Sequence, residues 1–247
     1  ADLEAASSEH TLGLILNSPC NPTGAVYSLE ELEAITVWAR DRGVWLISDE
    51  IYRNIYHDDD REAAGGVLDL PQSSVGDFVL LDGASKSYAM TGWRIGYSYS
   101  SAELAQKFTA LQSQSTSNTS TPSQAAALEA FSNIDEAQAS IAAMSVAFTR
   151  RRDLVTARMD ELMPGVPYTR PHGAFYLYFR VDGFFDDDVR DATAWCSRLL
   201  ESQGVALVPG AAFGDDRWVR MSFATSDDVL EDAFKRIATM VSTGVAS

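Results

Sequence analysis

The sequence predicts an α/β protein built on a mostly parallel sheet, and three observations carry that reading. Short apolar runs stand at Leu12–Leu16, Val44–Ile47 and Phe78–Leu81. Each run is continuous, the pattern of a strand buried on both faces rather than on one. Each also ends on turn residues mixed with side chains that can do chemistry. Strands of this kind joined by helices lie parallel in one sheet, with helices on both faces.

The elements follow in order. Leu12–Leu16 runs into the turn-rich Asn17-Ser18-Pro19-Cys20-Asn21-Pro22-Thr23-Gly24. Ser28 and Glu31 have the spacing of a capping box, Leu32, Ile35, Trp38 and Ala39 line one helix face, and Gly43 stops it. Val44–Ile47 ends on Ser48-Asp49-Glu50, and Phe78–Leu81 ends on Gly83-Ala84-Ser85-Lys86. Arg94–Tyr99 predicts a fourth strand. Thr121-Pro122 opens a helix with proline at its first position. A longer helix spans about 135 to 162, with Ile141, Met144, Phe148, Val155, Met159 and Leu162 on its stripe and Pro164 beyond it. After that the texture changes. Gly173–Val181, Val205–Val208 and Trp218–Ala224 predict strands, and Ala192–Glu201 and Asp227–Val241 predict helices. Two domains are therefore expected, residues 1–150 and a smaller α+β domain at 151–247, with no internal repeat.

Composition excludes several functions. Thirty-five acidic against nineteen basic residues give a net charge of −16, the opposite of a nucleic-acid footprint. Hydrophobic residues make up 46%, enough for a packed core, so disorder is not expected. No apolar run reaches membrane-spanning length. Cys20 and Cys196 are far apart and fit a reducing cytoplasm rather than a disulfide or zinc site. Ala1-Asp2-Leu3-Glu4 lacks the basic and apolar regions of a signal peptide. The acidic runs Asp58-Asp59-Asp60 and Asp186-Asp187-Asp188 lack calcium-loop spacing and read as solvated turns. No metal is expected.

Ligands of open α/β sheets bind beyond the carboxyl ends of the strands. Those ends carry Asn21, Asp49 with Tyr52, and Lys86. Singly these are unremarkable, since a strand-end Asp is usually a cap and a lone Lys a solvated charge. Together they put an amide, a carboxylate, a phenol and an amine in one region. Other chemistries fit poorly: Gly83-Ala84-Ser85-Lys86-Ser87 lacks the glycine that a P-loop places directly before its lysine. GxGxxG, GxSxG and HExxH are absent, and His10, His57 and His172 have no metal-ligand spacing. His172 precedes a strand and reads as a turn residue.

Three motifs carry a family resemblance. Asn17 to Gly24, Ser48-Asp49-Glu50-Ile51-Tyr52, and Ser85-Lys86-Ser87-Tyr88-Ala89-Met90-Thr91-Gly92-Trp93-Arg94-Ile95-Gly96-Tyr97 closely resemble class I/II aminotransferases of fold type I. Trp218-Val219-Arg220-Met221-Ser222-Phe223-Ala224 resembles their substrate-carboxylate strand, and the resemblance runs end to end in the family's order. It implies pyridoxal 5'-phosphate as cofactor, amino acid and 2-oxo acid as substrates, and a homodimer for the complete protein. It makes 1–150 the C-terminal part of the cofactor-binding large domain, with the interdomain helix. Lys86 is then the residue that holds the cofactor and moves the substrate proton. Asp49 pairs with the ring nitrogen, Asn21 and Tyr52 donate to the ring hydroxyl oxygen, and Arg94 holds the phosphate. Arg220 clamps the substrate carboxylate with a bidentate fork, beside Asn21.

Gly83 stands where some members place a phosphate-binding Ser, and Ser85 is the nearby hydroxyl. Gln112 to Asn118 resembles the aspartate/prephenate branch, so a dicarboxylic or broad-specificity substrate is expected. The family's long N-terminal portion has no counterpart before the asparagine strand. A chain without it is expected to bind the cofactor weakly and to turn over poorly. Two other readings stay open: another reaction on the same fold, of β-lyase type, and a non-catalytic remnant that serves as an interaction module.

Overall fold

The computed structural model describes residues 2–58 and 60–244, so Asp59 of the first acidic run and Ala1 of the N-terminal reading lie outside the described residues. Contacts divide the chain into two units. The first holds the chain to Pro19, Val26–Ile55 and the stretch from Asp60 to Ala143. The second holds Met144 onward and takes in two short earlier segments, Cys20–Ala25 and the one starting at Tyr56.

In the first unit, a short helix α1 (Asp2–Ala6) precedes β1 (Gly13–Asn17), α2 (Leu29–Asp41), β2 (Trp45–Asp49) and β3 (Phe78–Gly83). Next come the short α3 (Ala84–Ser87), β4 (Gly96–Tyr99), α4 (Ala102–Ser115), α5 (Thr121–Ser132) and the start of α6 (Ile134–Leu162). The sheet order is β1-β2-β3-β4. The first three strands are parallel, and β4 returns antiparallel to β3. The expected strand at 94–99 begins only at Gly96, because Arg94 sits in the left-handed region (φ 56°) and cannot extend the strand backward.

α2 shows why the sequence signals were legible. Glu31 N–H donates to Ser28 Oγ (3.2 Å) while Glu31 Oε2 accepts from Ser28 N–H (2.8 Å), the reciprocal capping box. At its other end Val44 N–H reaches Ala39 O (2.9 Å) and Gly43 N–H reaches Arg40 O (3.1 Å), a Schellman closure. Leu29, Leu32 and Ile35 of α2 pack on Leu16, Leu46 and Leu80, one from each parallel strand. Side chains alternate along a strand. Asp49 therefore shares the opposite face with Ile15, Trp45 and Leu81, of which Ile15 is 72% exposed. α4 went unpredicted for a physical reason. Leu104, Phe108 and Leu111 stand at helical spacing, but none of the helix's residues is buried, so the stripe joins no core, and the Ser101 cap on Leu104 N–H marks its start.

The second unit packs an antiparallel sheet of order β5-β6-β8-β7. Its strands are β5 (Tyr168–Thr169), β6 (Tyr176–Arg180), β7 (Val208–Pro209) and β8 (Trp218–Ser222). Its helices are the rest of α6, α7 (Ala192–Gln203) and α8 (Asp227–Gly244). Leu177, Phe179, Val219, Phe223, Trp195, Leu199, Leu230, Phe234 and Ile237 are buried nearly completely, and this is where the unit's apolar area leaves water. The strand expected from Gly173 starts at Tyr176 instead, because Ala174 is left-handed (φ 57°). The one expected at 205–208 is reduced to Val208–Pro209 and ends at the proline, which has no N–H to give the ladder.

The acidic run at 186–188 is a turn: Asp186 Oδ1 accepts from Asp188 and Val189 N–H, and the carboxylate meets Arg198. That guanidinium and those donors hold Asp186 down at about 2. Asp58 pairs with His172 and Asp60 with Arg61. Among the described residues no helix is long and apolar enough to cross a membrane.

Candidate functional site

Two adjacent parallel strands deliver the first group of residues. β2 ends on Asp49, and β3 runs through Gly83 straight into α3, which carries Ser85 and Lys86. The pairing sets Asp49 beside Leu81 on one side and Asn17 on the other. Asn17 Nδ2 and Ser18 N–H both donate to Asp49 O (3.1 and 3.3 Å), which fixes the backbone at this strand end. Asp49 Oδ1 accepts from Ile51 N–H at 3.3 Å. Its carboxylate thus begins the turn that carries Tyr52. Tyr52 is buried (3%), and Lys86 Nζ lies 5.4 Å from the centre of its ring. At that distance the ring face attracts an ammonium. Asn54 Nδ2 donates to Ser87 Oγ (3.1 Å), tying the same turn to α3.

Beneath this edge, Glu50 is a buried carboxyl. Its Oε1 accepts from Ser48 Oγ (2.9 Å) and Val67 N–H (2.8 Å), whereas Oε2 has no partner. Burial raises its pKa and outweighs both hydrogen bonds. Gly83 is explained by packing: a Cβ there would lie 2.6 Å from Ile95 O and 2.9 Å from Gly96 Cα. Only glycine lets β3 approach β4 so closely. Ser85 is half-buried, next to Lys86. Arg94 is exposed, and its Nη1 donates to Thr91 O (3.0 Å), closing the turn after α3.

The second unit brings together Asn21 and Arg220. Arg220 Nη1 donates to Asn21 Oδ1 at 2.6 Å. The guanidinium is held between two rings, 4.4 Å from the centre of Tyr176 and 5.1 Å from that of Phe213. Contact with two aromatic rings orients a planar cation and its edge donors, which suits a carboxylate. Arg220 Nε is buried without a partner, a cost that a site built for an anion tolerates. Sequence reasoning missed Tyr176 and Phe213. The signal was available for Tyr176, which lies on β6 directly beside β8, whereas Phe213 belongs to a short turn with no periodicity.

It also missed a buried polar network. His57 is 3% exposed, with Nε2 at 2.7 Å from Ala174 O and Nδ1 at 3.2 Å from Thr149 Oγ1. A carbonyl can only accept, so Nε2 carries the proton and Nδ1 accepts from the threonine. Burial, aided by the Arg152 charge, pushes the His57 pKa down to about 4, against the hydrogen bond to Ala174 O and the weaker pull of Asp58 and Asp153. The unfolded chain binds this proton near ~6.5. His57 therefore contributes stability that is complete above about 6.5 and lost as pH falls towards about 4, roughly 3 kcal/mol in all. Denaturant titrations across that window should show a steeper loss for the parent protein than for His57→Gln. Parallel slopes in the two proteins would contradict a buried neutral imidazole.

The first group offers an amine, a strand-end carboxylate, a phenol, a hydroxyl and a guanidinium. Those donors could hold an aromatic aldehyde that bears a ring nitrogen, a hydroxyl and a phosphate. Among the described residues there is no group of three or more His, Cys, Asp and Glu that could hold a metal ion.

The model of the aminotransferase class I and II family matches residues 1–237. The chain is 41% identical to the aspartate/prephenate aminotransferase of Cereibacter sphaeroides, over 95% of this chain and 59% of that protein. Its structure is similar to the crystal structure of aspartate aminotransferase from Thermotoga maritima, with a TM-score of 0.84 and 37% identity. That match covers 98% of this chain and 59% of the other. The aromatic aminotransferase from Pyrococcus horikoshii gives a TM-score of 0.88 at 31% identity, covering 98% of this chain and 63% of the other. The chain thus spans about three-fifths of the length of the relatives it matches.

Proposed function

This chain belongs to the class I and II aminotransferases, and from that premise we propose that the whole protein moves an amino group between an amino acid and a 2-oxo acid. Pyridoxal phosphate is the cofactor in this reading, and the donor set of the first unit fits it. The observation that carries the proposal is Lys86 Nζ lying 5.4 Å from the ring centre of Tyr52, which stands on the turn that Asp49 begins.

When bound, the cofactor supplies an electron-withdrawing ring that acidifies the substrate Cα–H. Lys86 would hold it, Asp49 would keep a proton on the ring nitrogen, and Tyr52 and Asn21 would donate to the ring oxygen. Arg94 and Ser85 would bind the phosphate. Lys86 Nζ is the base that takes the Cα proton and returns it, since an amine on a short helix can be held within reach of the reacting carbon. Asp49 is an anchored carboxylate, so its charge favours the protonated ring. Arg220 holds the substrate carboxylate and orients Cα, which converts binding into correct geometry for proton transfer. Dicarboxylic amino acids are the substrate class proposed, supported by the names of the relatives at about 40% identity. A homodimer, which the family resemblance implies, is proposed for the complete protein.

Arg220→Lys should weaken all amino-acid substrates to a similar extent, by about tenfold to a hundredfold in kcat/KM, because the fork is lost whatever the side chain. Loss confined to acidic substrates would reassign Arg220 to side-chain recognition. Product analysis tests the reaction class: transamination converts the amino acid to its oxo acid with no net ammonia, whereas stoichiometric ammonia release would overturn the proposal in favour of elimination.

A further inference from the structure

Arg152 lies on the apolar stripe of α6, in line with Phe148, Val155 and Met159, and only 6% of it is exposed. A buried guanidinium persists only where its donors are used. Nη1 donates to Pro171 O (3.1 Å), Nη2 to His57 O (3.3 Å), and Nε to Asp153 Oδ1 (2.7 Å). Two of these acceptors are backbone carbonyls of irregular segments, far apart in sequence. The contacts continue outward. His57 N–H donates to His172 O (2.9 Å), and His172 and Gly173 N–H both donate to Gly24 O (2.8 and 3.0 Å). Gly24 N–H then closes the loop onto Cys20 O (2.8 Å), and that loop carries Asn21.

Gly24 is the point where the loop meets the turn. Its φ is +71°, and a Cβ would lie 2.6 Å from Pro171 Cβ and 3.0 Å from Gly173 O. The loop and the 171–173 turn therefore seat against each other, and Arg152 holds the turn from behind. We propose that Arg152 is a positioning residue that acts through this turn and Gly24 to keep Asn21 against Arg220. The proposal rests on the reading of Arg220 as the carboxylate clamp.

The test measures the affinity of the cofactor-loaded whole protein for succinate, an unreactive dicarboxylate, alongside thermal melting. Arg152→Met should weaken succinate by about tenfold, the usual scale for losing a charge-assisted contact. In an Asn21→Ala background the same substitution should change affinity by less than about twofold, because the residue it acts through is gone. Arg152→Lys, which can still reach a carbonyl, should recover part of the loss. Should Arg152→Met fail to fold, Gly24→Ala carries the test: it separates loop from turn and should give the same loss, absorbed in the same background. A lowered melting temperature with unchanged succinate affinity in these variants overturns the proposal, as does full additivity with Asn21→Ala. Arg220→Lys separates the two readings. If it leaves succinate binding intact, the clamp reading fails and the proposal with it; if it weakens binding while Arg152→Met and Gly24→Ala do not, only the positioning role fails.

Discussion

Lys86→Ala in the whole protein should abolish transamination, with a fall in kcat of about 10⁵-fold or more, near ~7 kcal/mol of barrier. The substitution removes the amine over the Tyr52 ring, which in this account both holds the cofactor and moves the proton. Among the described residues the other two lysines stand elsewhere. Lys107 lies on α4, paired with Glu103, and Lys235 is on α8 in the other unit. Stopped-flow and steady-state assays should agree that chemistry, not substrate binding, is what fails. A loss of less than about tenfold, below even an ordinary general-base contribution, would mean that another amine does the work.

Asp49→Asn should lower kcat by about 10³-fold, or ~4 kcal/mol, while the cofactor still binds. The amide keeps the shape of the strand end and can still accept from Ile51 N–H, so the fold should be unaffected. Only the negative charge is lost, and with it the preference for a protonated ring nitrogen. Cofactor fluorescence should report near-parent affinity, and the melting temperature should stay within a few degrees. An unchanged rate would reduce Asp49 to a turn-forming cap.

Much of the first unit was legible because its signals are local. The Ser28–Glu31 box, the Gly43 closure and the apolar strands rest on hydrogen bonds and burial that short spacing encodes. Asp49, Tyr52 and Lys86 were singled out because they follow strand ends, and the parallel pairing of β2 with β3 sets those ends side by side. What stayed hidden depends on long-range placement. Arg152 follows Arg150 and Arg151 and looks like a solvated basic run, yet the 148–152–155 spacing puts it on the buried face. α4 has no buried face, so its Leu104–Phe108–Leu111 stripe joins no core. The Phe213 side of the Arg220 sandwich comes from a turn whose position only the folded chain supplies. Strand ends at Gly96 and Tyr176 were set by the left-handed residues Arg94 and Ala174, neither a glycine, and composition gives no warning of those.

The central claim is that Lys86 holds the cofactor, and reductive trapping tests it most directly. The whole protein is loaded with pyridoxal phosphate, treated with borohydride, digested and mapped by mass spectrometry. The account predicts one cofactor-labelled peptide containing Lys86, with labelling abolished in Lys86→Ala. Labelling at Lys107 or Lys235 with Lys86 unmodified would contradict it.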